Sequence, residues 1–446
     1  MALIVKFNQL LIVVWCLVVA GVSTASAQTA APRAPAGGLF GATRSDVVGR
    51  DKLNFTFQLA QGLDSALPPD VNSRVSRGLD SGGWSTVFQA SSDYSHTGRR
   101  VQLTGDASTA FKYYQSLDRL DPVSHAAALG ARVKVLNGSL RLDQTAAYSP
   151  SYFYQLFPAT TAPEFGESIS ASPEFKLEET ESYSYTTDMA LMFGSARGTQ
   201  ITASGGLNRT DFSQHAPSRL DLETYDAGLE VSRRLSSRGS VKVGYEFRAG
   251  EFGFSGHTTE HSATLGVEVS QALSRTRRAT IRLNVSPTRI HLPEGALDVI
   301  VDAGNQRLNR LSAEAQIAVP FRPNWQTSAS YRRSLEYLSV LNQPVLADGG
   351  RLELEGLLTR RIDLKVSGGY VDAASVFAPS TEPLKTYTGQ VSMRFALKRA
   401  VALSSEYLYY YYDLGAQAGF SPDLPAKFEQ HGGRVGIVLF LETLGR

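Results

Sequence analysis

For most of its length the chain alternates apolar and polar residues with a period of two, as a strand with one apolar face requires. Leu53, Phe55, Phe57 and Leu59 alternate with Asn54, Thr56 and Gln58. Tyr183, Tyr185, Thr187, Met189, Leu191 and Phe193 alternate with Ser182, Ser184, Thr186 and Asp188. Val241, Val243, Tyr245, Phe247 and Ala249 alternate with Lys242, Gly244, Glu246 and Arg248. Tyr387, Val391, Met393, Phe395 and Leu397 do the same against Thr388, Gln390, Ser392 and Arg394. No helical spacing persists, and no 18-residue apolar run appears.

Roughly 18 such segments follow one another, near residues 52–61, 83–95, 100–114, 125–136, 139–149, 179–193, 199–210, 222–235 and 240–250 in the first half. The second half adds 258–273, 279–287, 306–319, 324–336, 350–359, 362–371, 385–397, 400–412 and 430–441. Short corners such as Asn137-Gly138, 236–239, 274–278, 320–323 and Lys398-Arg399 take turns with long connections at 62–82, 117–124, 149–178, 211–221, 290–305, 337–349, 372–384 and 413–429. Short turns at one end and long loops at the other are the pattern of a transmembrane β-barrel, with turns in the periplasm and loops outside. The expected fold is therefore all-β, a closed antiparallel barrel of about 18 strands over residues 52–446.

Aromatic residues sharpen the picture. Trp84, Tyr113, Tyr148, Tyr183, Tyr185, Tyr225, Phe247, Tyr331, Tyr370, Tyr387, Tyr409 and Tyr411 fall mostly at the long-loop ends of their strands, as an interfacial girdle would. A soluble sandwich has no need to gather them there. A propeller would repeat a blade signature, and none repeats.

The start of the chain reads differently. Lys6, an apolar stretch from Leu10 to Val22 and Ala25-Ser26-Ala27 form a signal peptide over residues 1–27; an uncleaved membrane anchor is the alternative. Residues 28–51 form a leader rich in Ala, Pro and Gly. The single cysteine, Cys16, lies within the signal, so the exported product is not a disulfide scaffold. A formal net charge of +2 makes no electrostatic case for nucleic acid.

If the apolar face meets lipid, the other face lines the interior. Its basic positions are Lys112, Arg132, Lys134, Arg141, Lys242, Arg248, Arg282, Arg310, Arg332, Lys365, Arg394 and Arg434. Its acidic positions are Asp106, Asp143, Asp188, Asp226, Glu230, Glu246, Glu268, Glu314, Glu353, Glu355 and Glu406. The two sets nearly balance. Such a wall either pairs its charges across strands or offers a ladder to a polar, hydroxyl-rich solute. Barrels of about 16–18 strands enclose water, whereas about eight strands fill with their own side chains. The longest connection, 149–178, carries Tyr152, Tyr154 and Phe157, so it either narrows the pore, contacts a glycan or folds over the barrel mouth.

No constellation points to catalysis. His257 and His261 have a helical ligand spacing, but on a strand residues four apart lie ~13 Å from each other, too far for one ion. There is no G-x-S-x-G elbow, Walker loop or dinucleotide fingerprint, and no metal or cofactor is expected.

On its signal peptide, hairpin repeat, tyrosine-rich strand ends and Arg/Glu-studded inner face, the chain from about Lys52 to Leu441 resembles the bacterial outer-membrane porins. Among these it is most similar to the β-barrel porins associated with exopolysaccharide export. The resemblance implies an outer-membrane channel exporting polysaccharide, with lipid, the barrel-assembly machinery and a periplasmic polysaccharide-export protein as partners. A diffusion porin for small solutes and a non-conducting structural or adhesive barrel are the other readings. One departure concerns the end of the chain: Val435 to Leu441 is followed by Glu442 to Arg446 rather than closing on an aromatic residue, so either Phe440 or Leu444 serves as the assembly signal or this lineage differs from the usual pattern.

Overall fold

A computed structural model describes residues 51–65, 83–114, 119–149, 182–194, 198–212, 221–252, 256–274, 277–291, 307–322, 324–338, 343–375, 383–413 and 427–445. The expected signal peptide, most of the expected leader and the loop residues Tyr152, Tyr154 and Phe157 lie outside the described residues.

Eighteen strands make up the fold. They are β1 (Asp51–Asp64), β2 (Gly83–Thr97), β3 (Val101–Tyr114), β4 (Arg119–Val135), β5 (Gly138–Ser149) and β6 (Ser182–Gly194). Then come β7 (Thr199–Phe212), β8 (Leu222–Arg234), β9 (Gly239–Phe252), β10 (Gly256–Ala272), β11 (Arg278–His291) and β12 (Arg307–Arg322). The last six are β13 (Trp325–Leu338), β14 (Gln343–Thr359), β15 (Ile362–Ser375), β16 (Leu384–Lys398), β17 (Val401–Asp413) and β18 (Lys427–Gly445).

Each strand pairs antiparallel with its sequence neighbours, and β1 pairs with both β2 and β18, so the sheet closes on itself. Closure leaves no strand edge, which a spanning sheet requires because lipid cannot pair backbone groups. Leu59↔Ile437 and Phe57↔Leu439 are partners in the closing register. Both chain ends of the barrel, Lys52↔Gly445, lie with the short turns.

Two connections read as long are short. The chain is already strand at Arg119 and at Gln343, so the segments 117–124 and 337–349 are largely ladder. Pro122 in the first and Pro344-Val-Leu-Ala-Asp-Gly-Gly in the second break the apolar alternation, because these strand ends do not have to meet lipid. The final strand likewise extends past Leu441 to pair Leu444 with Leu53. Phe440 pairs with Thr56 on the inward side, so it is not a lipid-facing terminal aromatic.

Side chains of one parity are turned outward on every strand. Leu59, Leu129, Leu229, Val243, Leu265, Leu352 and Val435 are all exposed, forming an apolar belt that water would not tolerate. The protein is a transmembrane β-barrel. Above the belt the aromatic rings touch from strand to strand: Phe88, Phe111, His125, Tyr148 and Tyr183 form one continuous chain. Tyr370, Tyr387 and Tyr411 form another. Among the described residues the apolar core is split into small clusters at the two ends of the lumen, with Ala396, Ala402 and Val438 at the turn end.

Candidate functional site

The inward parity follows from the register. Asp143↔Asp188, Asp226↔Arg248, Glu268↔Arg282, Glu314↔Arg332, Asp363↔Arg394 and Glu406↔Arg434 are cross-strand partners whose side chains share the inner face. By the same alternation Lys112, Arg132, Arg141, Lys242 and Glu246 also stand on that face.

Most of these charges engage one another. Arg282 Nε donates to Glu268 Oε2 at 2.8 Å and its Nη1 to Gln316 Oε1 at 3.3 Å. Asn284 Nδ2 donates to Glu314 Oε2 at 2.8 Å. Lys242 lies 3.0 Å from Glu230, and Arg141 pairs with Asp143. Glu406 accepts from Gln390 Nε2 at 2.6 Å, with Arg434 3.8 Å away. Arg394 forks onto both oxygens of Asp363, at 3.2 and 2.9 Å from Nε. The wall is therefore a band of fixed dipoles rather than a single-sign field.

Several inward groups escape the sequence reading: Asp64, Glu260, Glu336, Arg351 and Asp363. Continuing the parity of Glu268 back along β10 reaches Glu260, and that of Lys365 reaches Asp363. The pattern was available: Asp64, Glu260, Glu336 and Asp363 lie toward strand ends, where the alternation is weakest, whereas Arg351 lies mid-strand two residues from Glu353 on the same face.

Toward the long-loop end one hairpin turns inward. The β12–β13 ladder runs from the turn end only as far as Ala313↔Arg333. Beyond it β13 stays paired with β14 through Leu338↔Gln343 but leaves β12. Leu335, which has the outward parity of β13, packs against Ile290, which has the inward parity of β11, with Leu308 and Leu346 around them. Arg248 Nη1 on β9 donates to the Leu335 carbonyl at 3.4 Å. The outer face of this segment thus rests on the inner face of the wall, inside the barrel. Val345, Ala373 and Leu384 at the same end are fully buried.

His261 and His431 belong to the girdle. His261 Nδ1 is 2.6 Å from Tyr245 Oη, and His431 Nδ1 is 2.6 Å from Tyr407 Oη. His257 lies 3.8 Å from Glu251. Among the described residues no group of His, Cys, Asp or Glu is arranged to hold a metal ion.

No protein-family model matches the chain, and no curated protein resembles it in sequence. Solved barrels are similar to it in outline. OpdL of Pseudomonas aeruginosa shares 11% identity at a TM-score of 0.44, over 88% of this chain and 99% of that one. OccK2 (OpdF) of the same species shares 12% at 0.43, over 89% and 98%. OccAB4 of Acinetobacter baumannii shares 10% at 0.42, over 88% and 98%. Likeness at this level specifies no substrate and no site residue.

Proposed function

We propose that the protein is an outer-membrane diffusion channel for small polar solutes. The observation that carries this reading is the turn of β13–β14 into the lumen, where Leu335 seats on Ile290 and Arg248 holds its carbonyl. An 18-strand barrel has room for water, and an inward segment reduces that bore locally to one suited to a small cross-section. A sliding polymer needs a continuous solvated passage, and the buried inward side chains at this level do not favour one. Export of an exopolysaccharide therefore has less support than solute diffusion. Paired charges along the wall supply donors and acceptors that replace a polar solute's hydration without trapping it.

Liposome swelling with sugars of increasing size tests the reading. Monosaccharides should enter and dextran should not. Entry of dextran would restore the polymer reading, and a folded barrel giving neither swelling nor current would make it a structural barrel. Deletion of the gene should leave surface polysaccharide unchanged.

A further inference from the structure

Two strand edges part from each other in the wall. β12 pairs with β11 as far as Arg307↔His291, and β13 pairs with β14 as far as Leu338↔Gln343. Between β12 and β13 the ladder stops at Ala313↔Arg333. Both strands continue past that pair, so this is a parting of two strands and not the end of one. Among the described residues, 307–312 and 334–338 thus each present a strand edge that no strand pairs. In a spanning sheet only water from the lumen can satisfy such edges, because lipid offers no partner.

The interrupted register is complementary when continued. It places Ser312 opposite Ser334, Leu311 opposite Leu335 and Arg310 opposite Glu336. Leu311 is 54% exposed on the lipid side and Leu335 has the outward parity of β13, so that pair falls on the lipid face. Arg310 and Glu336 have inward parity, so a cross-strand pair of opposite charge falls in the lumen. In the parted position each charge is held instead within its own strand. Arg310 Nη1 donates to the Asn309 carbonyl at 3.3 Å, while Glu336 accepts from Ser334 Oγ and lies 3.6 Å from Arg332. The bend is also placed for movement. Beside the last β12–β13 pair, β14 carries Gly349 and Gly350 opposite Arg332 and Tyr331, and glycine inside a strand weakens it and permits a bend.

We propose that the end of the β13–β14 hairpin, residues 334–338 with 343–347, is a two-position gate that leaves the lumen by zipping onto the free edge of β12. Seated, Leu335 rests on Ile290 and Arg248 holds its carbonyl. Zipped, β13 extends its ladder along 307–312, Leu335 turns to lipid beside Leu311, and Glu336 meets Arg310. Each position satisfies groups that the other leaves open, as a bistable element requires. The inference rests on the channel reading above and adds its regulation: the passage is narrow with the hairpin seated and wide with it zipped.

Disulfides between introduced cysteines test the gate in the full-length chain carrying Cys16→Ser, which removes its one native thiol. Ile290→Cys with Leu335→Cys joins the packed pair of the seated position. Leu311→Cys with Leu335→Cys joins residues that lie on opposite faces of the wall until the hairpin zips. In planar bilayers, oxidising the first pair should hold a lower conductance level and oxidising the second a higher one. Reductant should restore transitions between the two levels. Without the cysteine pairs, Arg310→Gln should lower the occupancy of the higher level by up to about fivefold, the weight of a cross-strand charge pair. Should a cysteine pair fail to fold, this variant decides alone, and unchanged occupancy overturns the gate. A second pair that stays as free thiols while the first closes also overturns it, as do two closed pairs with one conductance. Either result leaves the channel reading standing. A folded barrel that passes no current, with the disulfides formed or reduced, overturns the channel reading and the gate with it.

Discussion

Lys112 Nζ lies 2.6 Å from Asp64 Oδ2, although one side chain belongs to β3 and the other to β1. Between them Ser85 on β2 donates its Oγ to the same carboxylate oxygen at 3.4 Å. The pair is only 2% and 1% exposed, so it sits on the inner face in a site without bulk water. It bridges the strands next to the point where the barrel closes, and Asp64↔Gly432 is itself part of the closing ladder.

Removing one partner of a buried ion pair leaves the other charge unneutralised, at a cost of about 3–5 kcal/mol. Lys112→Met and Asp64→Leu should each lower the unfolding free energy of the micelle-folded barrel, read by urea titration, by an amount in that range. The double variant should recover most of it, since two apolar side chains replace the pair without leaving a charge. Additive losses would mean that the two residues act independently.

Closure also depends on close backbone approach. A Cβ added at Gly436 on β18 would lie 2.4 Å from the Leu59 carbonyl and 2.6 Å from Ala60 Cβ on β1. Neither neighbour is the flexible end of a side chain, so the seam itself must open. Gly436→Val should abolish the heat-modifiable band shift on gels, while the same change at Gly433, which has open space around it, should keep the shift.

Strand number and inward face were both legible because a strand's side-chain period is two, and lipid on one side forces the choice of parity. Arg282, Glu314 and Arg394 could be assigned inward simply from apolar neighbours on either side. The inward turn of β13–β14 was not legible. Leu335 and Leu346 look like lipid-facing residues by parity, and only the loss of the β12–β13 ladder reveals that they pack on Ile290. Glu260 escaped for a different reason: it stands in the polar run His257 to Ser262, where no apolar neighbours mark the parity, and only the register carried back from Glu268 places it inward.

Parity gives a direct prediction at the lipid face. Val243 is 56% exposed on the outer side, whereas Gly244 beside it faces inward, where a Cβ would meet the Leu229 carbonyl at 3.3 Å. An arginine at Val243 should cost about 2–4 kcal/mol near the bilayer midplane. Gly244→Arg requires a shift of a few tenths of an ångström but keeps its charge in water. Urea titration in lipid vesicles should show a much larger loss for Val243→Arg. Equal losses would invert the assignment of inside and outside.

Among the described residues, the apolar contact with Ile290 and the hydrogen bond from Arg248 both hold the inward segment, and both can be removed. Leu335→Ala empties the contact with Ile290, and Arg248→Met withdraws the donor from the Leu335 carbonyl. Truncating a buried leucine to alanine costs about 2–5 kcal/mol. Beyond Arg333 the segment has no β12 ladder to oppose its release, so that cost falls on the seated state in particular. In planar bilayers Leu335→Ala should raise single-channel conductance or add long openings to a larger level. Arg248→Met should act in the same direction more weakly, because a single hydrogen bond contributes about 0.5–1.5 kcal/mol. Heat-modifiable migration should persist in both, since the closing strands are untouched. Unchanged conductance in a folded Leu335→Ala barrel would place the narrowest point of the passage elsewhere and remove the inward segment from the path of the solute.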